Sequence, residues 1–307
     1  MKNLTTLATA LFTLIAIAST AHAAETGTRI ELRALPSYVD RLFVPVVPST
    51  ENRVAVANLR FDEVLESNGF DVKAQSGAVV IQSNGNERAN YARVRGGGRE
   101  LTLTLVNVVP YSAMKNGTLD GYRVGEYAQP LHGLETYQPP KGFVRLDDTN
   151  AALWVSDHYR MRDFQCKLDG TSKFMILRPE ALVKLEILQH ELEAEGVRFD
   201  RFTVMSGYRT PYYNAKIGNE TSHSRHLYGD AMDIYIDADR DGSMDDVNGD
   251  RRIDAGDARF ILRIAERIDE SREWGWLKGG AGVYHANAAH GPYLHVDARG
   301  SIARWGV

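Results

Sequence analysis

The spacing of apolar positions divides the chain in two. Thr28-Arg-Ile-Glu-Leu32 and Leu101-Thr-Leu-Thr-Leu-Val106 alternate, and Ala78-Val-Val-Ile-Gln82 is a short β-branched run, so all three read as strands. Gly77, Asn84-Gly85 and Gly96-Gly-Gly98 supply turns between such runs. Residues 24–145 are therefore expected to form a small β-rich domain, with Pro139-Pro140 in a linker-like stretch at its end. Further on the period becomes helical. Leu182, Leu185, Leu188 and Leu192 recur at helix spacing after Arg178-Pro-Glu180, and Gly196 stops the run. Phe260, Ile261, Ile264 and Ile268 mark a second helix, while Phe202–Met205 and Asp233–Ile236 read as short strands. The expected fold is α+β, with helices on one face of a mainly antiparallel sheet in residues 146–307.

At the N-terminus the pattern is of another kind. A charged start, an apolar stretch from Leu7 to Ala18 and Ala21-His-Ala23 make a secretory signal peptide over residues 1–23. The apolar stretch is too short to span a bilayer, so a mature chain starting near Ala24 is expected outside the cytoplasmic membrane, periplasmic or wall-associated, with no membrane span. Composition changes this picture little: 43% hydrophobic and 25% charged residues are ordinary for a globular protein. A net charge of −4 argues against a nucleic-acid partner. Cys166 is the only cysteine, so no intrachain disulfide forms, and its apolar neighbours read as packing.

The chemistry lies in two stretches. Ser224-Arg-His-Leu-Tyr-Gly-Asp-Ala-Met-Asp233 offers an imidazole and a carboxylate seven positions apart, His226 and Asp233. Tyr293-Leu-His-Val-Asp297 offers His295 and Asp297 two apart. Three nitrogen or oxygen ligands and a spare carboxylate match what a catalytic zinc needs. Ser206-Gly-Tyr-Arg-Thr-Pro211 ends a short strand with Arg209, a guanidinium suited to a carboxylate or a peptide carbonyl.

Taken with Gly279-Gly-x-Gly-x-Tyr284 and Leu294-His-Val-Asp-x-Arg-Gly300, these motifs resemble the zinc D-Ala-D-Ala carboxypeptidases and murein endopeptidases, the LAS-type peptidoglycan metallopeptidases. The resemblance covers roughly residues 150–307. It implies His226, Asp233 and His295 as Zn2+ ligands, Arg209 as a substrate-binding residue, and peptidoglycan stem peptides or cross-bridges as substrate. Asp297 is then the expected general base by proximity, with His290 as the alternative, since Pro292 stands where several such peptidases carry theirs. A wall-binding module with a degenerate site is the rival reading.

Residues 237–257 form an acidic insertion between the metal motifs. Asp246, Asn248, Asp250, Asp254 and Asp257 fall at positions 1, 3, 5, 9 and 12 of a loop resembling an EF-hand or dockerin-type Ca2+ site, with Arg251 where glycine is usual. A second register begins at Asp237. The other reading of this stretch is a solvated loop in which Asp257 caps the following helix.

Overall fold

The computed structural model describes residues 26–306; the signal-peptide reading of residues 1–23 lies outside them. Among the described residues the fold is mixed, mostly sheet with three α-helices, α1 (Pro179–Ala194), α2 (Pro211–Lys216) and α3 (Ala255–Glu270), and agrees with an α+β reading. The first half builds two larger sheets and a two-stranded hairpin of Thr118–Leu119 with Tyr122–Arg123. One orders the strands Arg29–Leu32, Asn52–Val56, Ala78–Gln82 and Asp71–Gln75. The other is centred on Arg99–Pro110, a longer strand than the alternation from Leu101 to Val106 indicates.

That second sheet crosses the expected domain boundary. Gly142–Leu146 pairs with Arg99–Pro110 on one side and with Lys173–Met175 on the other. One hydrophobic cluster then runs from Ile30 through Phe43, Phe143 and Phe174 to Leu185, Ile264 and Val296. The two halves therefore share a core.

The second half carries the chemistry on a five-stranded sheet. Its order is Thr203–Ser206, Ala231–Tyr235, Tyr293–Asp297, Gly280–Tyr284 and Ala303–Trp305; the last pair is parallel and the others antiparallel. Strand alternation explains its two faces. Met232, Ile234, Leu294, Val296, Ala281 and Val283 join the core, and helix α3 (Ala255–Glu270) packs on the strands Gly280–Tyr284 and Tyr293–Asp297. Helix α1 (Pro179–Ala194) packs on α3 and on the first-half strand Arg41–Val46. Its leucine stripe is buried as the spacing indicates, but Lys184 is buried too. The Lys184 ammonium donates to Asp269 Oδ1 of α3 at 2.7 Å and to the Asp297 backbone carbonyl at 2.9 Å. Arg304 donates to the other Asp269 oxygen at 2.8 Å, so the buried charges are paired, as burial requires. This network fixes the backbone beneath the chemical face.

Candidate metal centre

On the opposite face, pairing lines up one row of residues: Ser206 with Asp233, Asp233 with His295, His295 with Gly282, and Gly282 with Trp305. Side chains paired across strands share a face. His226 enters from above, on the 3-10 turn Arg225–Tyr228, which ends at Gly229 with φ +71°. A side chain on Gly229 would be strained there and would also meet the Ile176 backbone, 2.6 Å from its Cβ. The glycine thus serves the turn and its packing on the chain at Ile176.

These elements bring His226, Asp233 and His295 together, all buried. His226 Nε2 lies 3.2 Å from Asp233 Oδ1 and 3.1 Å from His295 Nδ1, and His295 Nδ1 lies 2.9 Å from the same oxygen. Each imidazole has an acceptor behind it. His226 Nδ1 is 2.6 Å from the Gly207 carbonyl, and His295 Nε2 is 3.3 Å from Asp297 Oδ2. An acceptor on one ring nitrogen leaves the other free to face inward, the usual arrangement behind metal-bound histidines. The donor set and its burial fit a tetrahedral zinc with three protein ligands.

Electrostatics follow from burial and these contacts. Burial holds His226 below the ordinary imidazole range. Burial acts the same way on His295, but its hydrogen bonds to Asp233 and Asp297 outweigh it and lift the group to about 9. Burial alone would raise Asp233; the two histidines instead hold it well below the usual carboxylate range. Without metal, the cluster therefore keeps a proton on His295.

The structure does not give Asp297 the place of a base. The His295 ring stands between it and the ligand atoms. Its own carboxylate is fully buried, accepting from the Gly280 amide at 2.8 Å and from Arg299 Nε at 3.0 Å. His290 is no better placed. It sits in a loop with its ring nitrogens against Asn287 and the Gly291 carbonyl, both at 2.8 Å, and it does not line the cavity over the ligands. Arg209 does line that cavity, yet its guanidinium also binds Asp233 Oδ2 and the Ser206 hydroxyl. It therefore holds Asp233 in place as well as facing the cavity.

The cavity, about 380 Å³, is lined by His226, Asp233, His295, Arg209, Arg225, Arg299, His223 and an aromatic wall of Tyr284, Tyr293 and Trp305. Cations outnumber carboxylates on this lining, which suits an anionic group. Trp305 completes this wall from the edge strand Ala303–Trp305. Gly282 is what admits it, because a Cβ there would lie 2.0 Å from the indole nitrogen. A residue missed from sequence is Tyr127. Its hydroxyl donates to the Leu227 carbonyl at 3.0 Å and lies 3.2 Å from the Tyr208 hydroxyl, tying the His226 turn to the Arg209 turn. No local signal marks it, since both contacts span 80 residues or more.

In the acidic insertion the proposed oxygens turn onto backbone amides. Asp246 accepts from Gly249, Asp250 and Arg251, Asp254 accepts from Gly256, and Asp257 accepts from Val247 and Asn248. Asp254 caps α3, with Asp257 reaching back to the cap amide, so the helix-capping alternative describes Asp257's contacts. Asp237, Asp239 and Asp245 form another carboxylate grouping, with ligand atoms within 4.8 Å of one another. The two stretches repeat at nine residues. Arg240 and Gly242 in one, Gly249 and Arg251 in the other, take left-handed backbone, so Arg251 adopts the conformation usually given to glycine.

Residues 157–248 match the Peptidase M15 family model, which supports a place among the M15 zinc peptidases, of the D-Ala-D-Ala carboxypeptidase type. The matched stretch includes Arg209, His226 and Asp233 and ends before His295. No curated protein matches the chain.

Proposed function

We propose, from the M15 match and the convergence of His226, Asp233 and His295, that the protein is a secreted zinc peptidase hydrolysing peptide bonds in peptidoglycan stem peptides or cross-bridges. The observation that carries this reading is the ligand geometry: three buried N/O atoms meet at one point, and each imidazole is oriented by an acceptor of its own. An intact, oriented ligand set of this kind speaks against a degenerate binding module.

Zinc held there supplies a Lewis acid and a water of pKa lowered toward ~7. The chain supplies the rest. Gly207 and Asp297 orient the imidazoles, and Arg209 holds Asp233 Oδ2 so that Oδ1 faces the cluster. Asp297 is thus a positioning residue. The cationic lining formed by Arg209, Arg225 and Arg299 suits the carboxylate of a stem peptide. Incubating the zinc-loaded protein with purified sacculi, and identifying the fragments by mass spectrometry, tests this reading. Release of alanine or of uncrosslinked peptides, abolished by a chelator, is the expected result. No released fragment at stoichiometric zinc contradicts it.

Secretion rests on the sequence of residues 1–23, and no helix among the described residues is long and apolar enough to cross a membrane. N-terminal sequencing of protein from the cell envelope should read from near Ala24; an intact Met1 would refute processing. For the acidic insertion, we propose calcium in its nine-residue repeats. Millimolar calcium should then raise the melting temperature by mass action, and Asp237→Ala and Asp250→Ala should each reduce the rise. An unchanged melting temperature would leave a capped, solvated loop.

A further inference from the structure

Tyr293 and His295 lie two apart on one strand and so on one face, and Tyr293 lines the cavity over the ligands. The residue is 8% exposed as a whole; its hydroxyl has no hydrogen-bond partner among the described residues and keeps contact with the cavity, where it is free to donate. Its ring is held firmly. It stacks on its cross-strand partner Tyr284 with centroids 4.5 Å apart and planes 7° apart, and the edge of His290 closes on it at 4.9 Å. Tyr284 is anchored in turn by the Trp305 indole, 3.0 Å from its hydroxyl.

Several charged donors on the lining are already engaged: Arg209 on Asp233 and Ser206, Arg299 on Asp297, and His223 on the Gln129 carbonyl, while Arg225 holds Asp230 with Nε and Nη2 and keeps a buried Nη1 without a partner.

We propose that Tyr293 is a catalytic residue, donating its phenolic hydrogen bond to the carbonyl oxygen of the scissile amide as that oxygen gains negative charge. The inference rests on the peptidase reading. In the hydrolysis, water oxygen bonds to the carbonyl carbon, the C–N bond breaks, and the amine leaves with a proton. Tyr293 keeps its own proton throughout and stabilises the tetrahedral stage. A rigid donor aimed at developing charge is among the larger single contributions to such reactions.

The test compares wild type, Tyr293→Phe and Tyr284→Phe as full-length, zinc-loaded proteins. Tyr293→Phe removes one oxygen and keeps the stacked ring. It should keep its zinc and melting temperature, lose about 10²-fold in kcat with little change in KM, and lose affinity for a phosphinate D-Ala-D-Ala analogue in calorimetry by a similar factor. Tyr284→Phe should lose far less of both. Unchanged kcat and phosphinate affinity in Tyr293→Phe would overturn the proposal, and so would a rise in KM alone, which marks ground-state binding. A wild type that holds zinc but cuts nothing would overturn the peptidase reading along with it. An active wild type beside a fully active Tyr293→Phe would overturn only the role given to Tyr293.

Discussion

His226→Ala is expected to abolish stoichiometric zinc binding and, with it, hydrolysis. Three protein ligands leave no reserve, so the loss in zinc affinity should exceed the roughly 10–100-fold typical of removing an outer partner. The variant also leaves the Gly207 carbonyl without the imidazole 2.6 Å away, a separate cost of about 1–3 kcal/mol in folding stability. Zinc content by elemental analysis, read beside the melting temperature, separates the two effects. Full zinc in His226→Ala would remove this residue from the ligand set. A pH dependence accompanies the prediction. His295 holds its proton up to about 9, and zinc must displace that proton, so zinc affinity should rise with pH until about 9 and flatten above it. In the metal-free protein the sign for stability runs the other way. Because the folded value is raised above 6.5, the stabilisation from this proton is complete below 6.5 and lost as pH rises through about 9.

The second large effect is at Asp297. If it positions His295, Asp297→Asn should weaken zinc binding by about 10–100-fold, because the amide is a poorer acceptor for the Nε2 proton. It should also lower the melting temperature, since the buried face of Arg299 loses its charged partner. Saturating zinc should then restore most of kcat. A general base predicts the reverse pattern: normal zinc affinity, with a rate about 10²–10⁴-fold lower that added zinc does not rescue. Kinetics against zinc concentration decide between the two.

What the sequence made legible was local. The helix beginning at Pro179, the helix bearing Ile261 and Ile264, and the strand at Ala78–Gln82 are set by spacing and by neighbouring caps, and they stand where the pattern put them. The residues of the ligand set were nameable because two of them lie in one short motif and the third in another. Direction was not legible. Whether Asp297 faces the ligand atoms or stands behind His295 depends on the pairing of Asp233 with His295 and on Arg299 and Gly280 closing around the carboxylate. The same holds for Lys173–Met175 joining a first-half sheet and for Tyr127 bracing the His226 turn. Each is a long-range contact with no periodicity to announce it. In the acidic insertion, counting oxygens located a loop but missed the grouping of Asp237, Asp239 and Asp245, which needs the chain to fold back at Gly242.

The most direct test of the account is zinc analysis combined with X-ray absorption at the zinc edge on the full-length, reconstituted protein. One zinc per chain is expected, with only nitrogen and oxygen neighbours at about 2.0–2.2 Å and the scattering signature of two imidazoles. Substoichiometric zinc after reconstitution, or a sulfur neighbour at about 2.3 Å drawn from Cys166, the only cysteine, would contradict it.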